Sequence, residues 1–418
     1  MSYNKIEKSI ARFLEDYPFI KRISKKYYQL FQYFLNKPKK NFSSKLKMKK
    51  ISFENEESFF GYYDKSPVNL DNTFVLFLSV NFSTKEKPKK DKSIKIFLYN
   101  LKEDFFIKIA DVFSYNWQQA CKLQWIDNET FIFNNFDKKS SKYISLIYKI
   151  KKNEAFLKKE NSFPIYDSFE NFALSLNFNA LFLYAKDYSY KNLNIKKISY
   201  KNDGIFKIDF GTGNYNLILS MEEIIKFNFK SSFEKAKHYV NHIMISPNGD
   251  KYIFLHRWIK NGIKKDRLIL GFLENKDLKI LSDNEMVSHC FWKNNNEIIA
   301  YLRNDKKIDN YFIINLRKNK ISNFSKNKFF INIGDGHPNI YKNKMVFDTY
   351  PNKSRMQELF IYDFENDNVE KIAEFFESLE FYEETRCDLH PRFSYDGKYI
   401  FIDSVHSGKR NLYILERF

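Results

Sequence analysis

The chain has 418 residues and a mass of 50.5 kDa, enough for several small domains or one large all-β domain. Hydrophobic residues make up 43% and charged residues 29%, which excludes a globally disordered protein. No window approaches the length of a membrane-spanning apolar helix, and the first residues lack the apolar run of a secretion signal. Three cysteines are too few for a disulfide framework in so long a chain, so we expect a reducing, cytoplasmic location.

The N-terminal segment holds most of the net charge of +19, since residues 1–50 contain 14 Lys or Arg residues and three acids. Apolar residues at helical spacing predict one helix over residues 3–16 and a second that begins at Pro18 and ends before Pro38. A basic amphipathic helix followed by lysines predicts docking of residues 1–40 on an anionic membrane surface, peripherally at an inner membrane. The alternative is a helix pair packed on the main domain.

From residue 59 onward the sequence repeats. All copies but a weaker third one begin with His or Lys and continue through an apolar position, a polar turn and a strand, as in "HIMISPNGDKYIFLHRW" and "HPRFSYDGKYIFIDSVHSG". The seven copies begin at Lys65, Lys122, Ile165, His242, His289, His337 and His390. Two further strand-like runs follow in each copy, which is typical of a β-propeller blade.

These repeats predict an all-β fold, a seven-bladed β-propeller with an N-terminal α-helical extension. We expect the extension over residues 1–47 and the propeller over residues 48–418. The last copy lacks an outer strand, and a segment near residues 49–55 is expected to supply it and close the ring. The long third copy contains a helical insertion at about 220–238, where Ser220 and Glu223 form a capping-box pattern.

Four of the seven histidines occupy the same repeat position, with lysines in two of the other copies. Equivalent positions of a propeller line its central channel, so these side chains predict a cationic ring. Imidazole is a common ligand of first-row metals, and three or four converging histidines suit a divalent ion such as Mn²⁺. The alternative is that each histidine only hydrogen-bonds the neighbouring blade. His238 lies outside this position and has no predicted role.

Other polar residues are expected at the same end of the channel. The predicted catalytic residues are Lys65, Lys122 and His242, as candidate bases. The predicted substrate-binding residues are Tyr63, Asp64, Gln119, Arg386 and Asp388; of these, Arg386 suits a carboxylate or phosphate. Motifs for dinucleotides, P-loops, zincins and serine hydrolases are absent from the sequence. The terminal position of the charge argues against a nucleic-acid partner.

The blade motifs, together with "SHCFW", "DGHP" and "RCDLHP", resemble the TolB-type, WD40-like propellers and are most similar to those of the oligogalacturonate-lyase-like family. This family includes members in bacterial surface-polysaccharide loci. The resemblance implies a divalent metal, usually manganese, in the channel mouth and cleavage of uronates by β-elimination. By blade position, His289, His337 and His390 resemble the metal ligands. The family's closely spaced glutamine-and-histidine set has no match in the last blade, which reads "RCDLH".

These observations predict a protein that acts on an acidic saccharide in the biosynthesis or modification of a bacterial surface polysaccharide. The mechanism implied by the resemblance is metal-assisted β-elimination. Two alternatives stay open at this point: a glycosyltransferase of the same pathway, and a membrane-docked scaffold that binds glycans without catalysis.

Overall fold

The computed structural model describes residues 17–193 and 198–417 and shows a seven-bladed β-propeller preceded by a helix. Helix α1 (Pro18–Leu35) begins with proline at its first turn, where a missing N–H costs nothing. Strands β1 (Phe42–Ser44) and β2 (Lys47–Ile51) follow. The predicted fold and the second N-terminal helix are therefore confirmed; the helix predicted over residues 3–16 lies outside the described residues.

Blades one to three are formed by β3 (Glu57–Phe59), β4 (Phe74–Val80), β5 (Ile94–Asn100), β6 (Phe105–Val112), β7 (Gln124–Trp125), β8 (Thr130–Asp137), β9 (Lys142–Lys151), β10 (Glu154–Asn161), β11 (Asp167–Phe169), β12 (Phe172–Leu176), β13 (Gly204–Asp209) and β14 (Tyr215–Ser220). Middle strands such as β4 are buried at every residue, because neighbouring blades cover both faces of each sheet.

Blades four to seven are formed by β15 (Lys237–Ile245), β16 (Lys251–Lys260), β17 (Ile263–Phe272), β18 (Leu278–Ser282), β19 (Val287–Asn294), β20 (Glu297–Arg303), β21 (Asp309–Asn315), β22 (Lys320–Asn323), β23 (Asn339–Tyr341), β24 (Lys344–Asp348), β25 (Met356–Asp363), β26 (Asn368–Phe376), β27 (Arg392–Phe393), β28 (Tyr399–Ser404) and β29 (Asn411–Glu416). Every blade is an antiparallel meander whose first strand lines the channel.

The N-terminal strands complete the last two blades. β2 pairs antiparallel with β29 and is the outer strand of blade seven, with Lys47 opposite Glu416 and Ile51 opposite Leu412. β1 pairs with β26 and gives blade six a fifth strand. The propeller strands thus begin at Phe42, ahead of residue 48. β2 thus supplies the fourth strand that the C-terminal segment lacks and joins the two ends of the propeller strands in one sheet.

The antiparallel meander gives the ring two distinct faces. The mouth face is the end at which the inner strands begin; it carries the loop between the second and third strands of each blade and the loop to the next blade. The opposite face carries the turns between the first and second strands and between the third and fourth. All four blade-start histidines therefore belong to the mouth face.

One helical insertion lies within blade three and a second lies between blades three and four. Helix α2 (Phe178–Tyr184), capped by the side chain of Asn177, and a 3-10 turn at Lys186–Tyr188 separate β12 from β13. Helix α3 (Met221–Lys226) separates blade three from blade four, and Ser220 and Glu223 form the predicted capping box. The insertion at 220–238 is thus confirmed, whereas the sequence analysis did not predict α2. A short helix, α4 (Phe329–Asn332), precedes blade six.

Candidate functional site

A segment of blade one enters the channel at the level of the histidines. Between β3 and the rest of the blade, the backbone N–H groups of Phe60 and Gly61 each donate to the Asp403 carboxylate at 3.0 Å. Gly61 has a φ of 122°, and a Cβ there would lie 3.0 Å from the Cβ of Ala120. Only glycine suits this position. The excursion places Tyr62 in the centre of the channel mouth.

The four blade-start histidines converge around Tyr62. Its ring centroid lies 5.4 Å from that of His242 and 5.0 Å from that of His390. His337 lies 4.1 Å from His289 and 4.4 Å from His390, again between ring centroids. The Tyr62 hydroxyl lies 3.0 Å from Nδ1 of His242. The predicted ring of imidazoles therefore exists, and the phenol of Tyr62 lies at its centre.

The backbone at the repeat position aims these side chains inward. Lys122, His242 and His390 have φ values of 55°, 51° and 46°, in the left-handed region that non-glycine residues seldom occupy. The pairing of β15 with β16 shifts register between Asn241 and Met244, around His242. Such conformations cost about 1–3 kcal/mol each and concentrate at functional sites. The same unusual backbone conformation in three blades indicates that the orientation of these side chains toward the channel has a functional role.

Carboxylates contact the Nδ1 atoms of two of the histidines. Nδ1 of His337 lies 2.9 Å from Oδ1 of Asp348, and Nδ1 of His289 lies 3.0 Å from Oδ2 of Asp335. At His337 the effect of burial, which lowers the pKa, is outweighed by the Asp348 carboxylate, and the pKa is raised. At His289 the effect of burial is larger than that of Asp335, and the pKa is lowered. A carboxylate on Nδ1 fixes the tautomer and leaves Nε2 as the ligand atom, the usual arrangement behind metal-bound histidines.

One group of side chains fits a metal ion. Ligand atoms of His337, Asp388 and His390 lie within 4.8 Å of one another, and all three residues are buried. Nε2 of His390 is buried without a hydrogen-bond partner and lies 4.0 Å from the Asp388 carboxylate. Imidazoles with a carboxylate form a donor set that suits Mn, Fe or Zn. Two of the three predicted ligand histidines belong to this group together with Asp388, which was predicted to bind substrate, and the ring of His289 lies 4.1 Å from that of His337.

The two predicted catalytic lysines form a separate cluster within the channel. Lys65 makes an ion pair with Asp167, and Nζ of Lys122 lies 3.7 Å from the Asp64 carboxylate and 4.0 Å from the Tyr166 ring centroid. Burial lowers the pKa of Lys122; at Lys65 burial acts in the same direction, but Asp167 outweighs it and the pKa is raised. Lys65 therefore stays protonated, which opposes its predicted role as a base.

The remaining predicted residues divide between the rim and the channel wall. Nε of Arg386 donates to Asp388 at 3.0 Å and Nη1 donates to Asp187 at 2.8 Å. Tyr63 is fully buried and donates its hydroxyl to the carbonyl of Cys290 at 2.9 Å. Gln119 donates to the Tyr166 hydroxyl at 3.1 Å. Arg386 thus faces the site, whereas Tyr63 and Gln119 mainly stabilise its walls.

The rim also holds residues that the sequence analysis missed. Arg257 forms an ion pair with Asp266 at 3.0 Å. The charge of Arg257, followed by burial, lowers the pKa of the neighbouring Lys264 to about 8. Tyr188 and Tyr350 pack edge-on against His242 and His337, with centroids 5.5 Å and 5.6 Å apart. None of the four stands at the repeat position, so alignment of the blades could not single them out.

A strap formed by residues 177–193 reaches from blade three across the mouth. Asp187 and Tyr188 contact Arg386 of blade seven, Lys191 pairs with Glu384 at 2.7 Å, and Asn192 donates to the carbonyl of Phe113 at 3.1 Å. Two cavities of about 10 Å³ each adjoin Tyr62 and Asp64. Each has room for about one water-sized group.

His238 lies away from the channel but is not without a role, which corrects the sequence analysis. Its Nδ1 lies 2.9 Å from Nε2 of His256, whose Nδ1 accepts from Arg267 at 2.9 Å. Arg267 also donates to the carbonyl of Ile224 at 2.8 Å. This buried chain of side chains attaches the α3 insertion to blade four.

Comparison with known structures identifies two oligogalacturonate lyases of the same fold. The enzyme from Vibrio parahaemolyticus superimposes with a TM-score of 0.59 at 12% identity, over 90% of this chain and 96% of that protein. An oligogalacturonate lyase in complex with manganese gives a TM-score of 0.61 at 14% identity, over 90% and 94%. At these identities the likeness establishes a shared fold, which confirms the resemblance at that level. The chain matches no family profile and no curated protein sequence.

Proposed function

We propose that this protein binds a divalent metal ion such as Mn²⁺ in the channel mouth and acts on an acidic, uronate-type saccharide by β-elimination. The observation that carries the proposal is the buried, unpartnered Nε2 of His390 beside His337 and Asp388. The fold shared with an oligogalacturonate lyase in complex with manganese supports the same metal and substrate class.

The residues that would hold the ion are His337, His390 and Asp388, with His289 adjacent to His337. A bound divalent cation neutralises a substrate carboxylate and thereby acidifies the proton on the neighbouring α-carbon. Asp335 and Asp348 fix the orientation of the imidazoles behind the site. On the rim, Arg257, Lys264 and Arg386 supply the positive charge that orients an acidic saccharide.

His242 is the base that the geometry favours. Burial holds the pKa of His242 well below its usual value, so the imidazole is neutral and can accept a proton. In β-elimination the base takes the α-proton, the bond from the β-carbon to the leaving oxygen breaks, a carbon–carbon double bond forms, and the departing oxygen takes a proton. Lys122, the other predicted base that the channel buries, is paired with Asp64 at 3.7 Å, which favours its ammonium form over a role as base. The Tyr62 hydroxyl beside His242 lies where it can exchange a proton.

A glycan-binding scaffold is the second candidate function, and one contact favours it. The Asp348 carboxylate accepts from the backbone N–H of His337 at 2.7 Å and from that of His390 at 3.1 Å. Asp348 therefore ties blade six to blade seven, which is what purely structural residues at this position would do. A glycosyltransferase of the same pathway would need a nucleotide-linked sugar as substrate.

For location, we propose that the N-terminal extension docks the protein on an anionic membrane surface, in the assembly or modification of a surface polysaccharide. No helix within residues 17–193 or 198–417 is both long and apolar enough to cross a bilayer. The exposed apolar side chains of α1, such as Tyr27, Phe31 and Phe34, and the lysines after it support surface binding instead.

The test combines metal analysis with a substrate screen. Elemental analysis and calorimetric titration with MnCl₂ of the full chain are expected to show one tightly bound ion. Polymeric uronates are then expected to gain the ultraviolet absorbance of an unsaturated product only when the metal is present. Nucleotide-linked uronates, tested in parallel, report transferase activity.

His406→Ala serves as the control, because His406 belongs to blade seven but packs against Phe42 and Ser404 outside the channel. It should retain metal and activity. Absence of bound metal from the wild-type protein, together with binding of uronates without turnover, would exclude the lyase and favour the scaffold.

A further inference from the structure

Helix α1 stands at the rim of the mouth face. β26 runs toward the mouth face and ends at Phe376, and β1 pairs with it so that Phe42 lies opposite Phe375 at the same end. The Phe376 N–H donates to the carbonyl of Asn41 at 2.8 Å. The Tyr33 ring stacks on Phe376 with centroids 6.0 Å apart. Because α1 precedes this junction, it belongs to the same end of the ring as the histidines.

The apolar side of α1 faces away from the propeller. Tyr27 is 68% exposed, and Phe31 and Phe34 are each 61% exposed. With Ile20, Ile23, Leu30 and Leu35, also exposed, they recur at intervals of three and four residues and form one stripe. Seven exposed large apolar side chains on one helix need a partner surface.

The two faces of the ring differ in charge. On the mouth face, the loop over residues 83–92 carries five lysines against two acids, and further lysines stand at the tips of other loops: Lys138, Lys139, Lys260, Lys264, Lys265, Lys306 and Lys307. Three of the five lysines in the 83–92 loop are paired, Lys85 with Glu380 at 2.8 Å, Lys87 with Glu384 at 2.9 Å and Lys89 with Glu86 at 2.5 Å, so Lys90, Lys92 and the lysines of the other loops supply the excess charge. On the opposite face most turns are acidic, with Asp71, Asp127, Glu129, Glu170, Asp277, Glu365, Asp367 and Asp396.

We propose that the mouth face as a whole lies on an anionic bilayer, with the α1 stripe in the interface and the loop lysines on the lipid headgroups. The channel then opens toward the membrane, and its substrate is an acidic saccharide carried on a lipid. This orientation rests on the proposed membrane location and saccharide site and adds which face meets the lipid. An acidic protein partner would suit the lysines but not the apolar stripe, so the bilayer is the better match.

Fluorescent labels on opposite faces test the orientation. The native Cys121, Cys290 and Cys387 are buried, so an introduced surface cysteine is the site that reacts in the folded protein. Ile331→Cys and Tyr382→Cys place a polarity-sensitive dye on the mouth face, where these residues are 64% and 58% exposed. Leu70→Cys and Tyr395→Cys, at 52% and 45% exposure, are the matched controls on the opposite face.

With vesicles of phosphatidylglycerol and phosphatidylcholine, the mouth-face dyes should shift to the blue and be quenched by spin-labelled lipids, whereas the control dyes should not respond. The triple variant Tyr27→Ser, Phe31→Ser, Phe34→Ser should weaken binding on the order of tenfold or more, since it removes apolar burial in the interface. Binding of the protein without a mouth-face response, or with a response from the control dyes, would overturn the orientation. Absence of vesicle binding would overturn the membrane location as well, whereas the metal and uronate assays, run without vesicles, report the saccharide site separately.

Discussion

The channel uses one repeat position in two different ways. In blades one and two the position holds Lys65 and Lys122, and both ammonium groups are matched by carboxylates, Asp167 and Asp64. In blades four to seven it holds histidines, and at His390 a ring nitrogen is buried with no partner. A buried charge is tolerated when it is paired, and a buried polar atom without a partner needs an external one. In the lysine half of the ring, both ammonium groups are therefore paired within the protein. In the histidine half, a buried ring nitrogen has no protein partner and can bind a ligand.

The largest effect is expected in the lysine half. Asp64→Asn leaves the Lys122 ammonium, 4% exposed, without its nearest carboxylate. Breaking a buried pair in this way costs about 3–5 kcal/mol of unfolding free energy. Urea unfolding measures the loss, and the double variant Asp64→Asn, Lys122→Met should recover part of it. A change below about 0.5 kcal/mol would show that this pair is not a structural element.

In the histidine half the effect should be on binding. His337→Ala and His390→Ala should each weaken Mn²⁺ binding by more than about 100-fold, since even the residues behind metal ligands contribute 10–100-fold. The double variant should cost little more than either single one, because both residues serve one site. Calorimetric titration measures affinity and thermal melting measures stability. If both single variants lose the same amount of stability while metal binding is unchanged, these histidines only stabilise the contacts between blades.

A smaller loss is expected from the carboxylate that contacts His289, the histidine next to the proposed ligand His337. Asp335→Asn keeps the size of the side chain but removes the charge 3.0 Å from Nδ1 of His289. Metal affinity should fall about tenfold, while Asp167→Asn in the lysine half should leave metal affinity unchanged and lower stability. A similar loss of affinity in both variants would contradict the division of the ring into two functional halves.

The last effect is on the pH dependence of stability and concerns a buried carboxyl, Asp203, for which residues 17–193 and 198–417 provide no ion-pair partner. Burial raises the pKa of Asp203 to about 7, with the Gly204 N–H at 2.9 Å as its hydrogen-bond donor. The folded state then holds a proton that the unfolded state has released, so stability should fall as pH rises between about 4 and 7, by about 1 kcal/mol per pH unit. Asp203→Asn should flatten this slope and leave stability near pH 4 unchanged. A profile identical to that of the wild type would show that Asp203 is ionised in the folded protein.

The ring could be predicted from sequence because the blades repeat a polar turn followed by a strand, most clearly in the two copies that begin at His242 and His390 and have glycine in the turn. The converging histidines followed from the same repeat. The strap could not be predicted in this way, because "FNALFLY" at Phe178–Tyr184 continues the apolar run of β12 and only the Asn177 cap marks a helix. Arg257 was missed because it belongs to a middle strand that is buried over Lys251–Trp258. The central place of Tyr62 depends on a loop that blade one alone possesses.

The pairing of β2 with β29 has a consequence for how the protein is made. The ribosome synthesises Lys47–Ile51 long before Asn411–Glu416, so β2 must wait for its partner until nearly the whole described chain has emerged. During synthesis this strand is an unpaired edge, and its own Lys47, Lys49 and Lys50 discourage pairing with other chains. Ring closure is then the last step of folding, and the rate at which blade seven finds β2 decides how long an open ring exists in the cell.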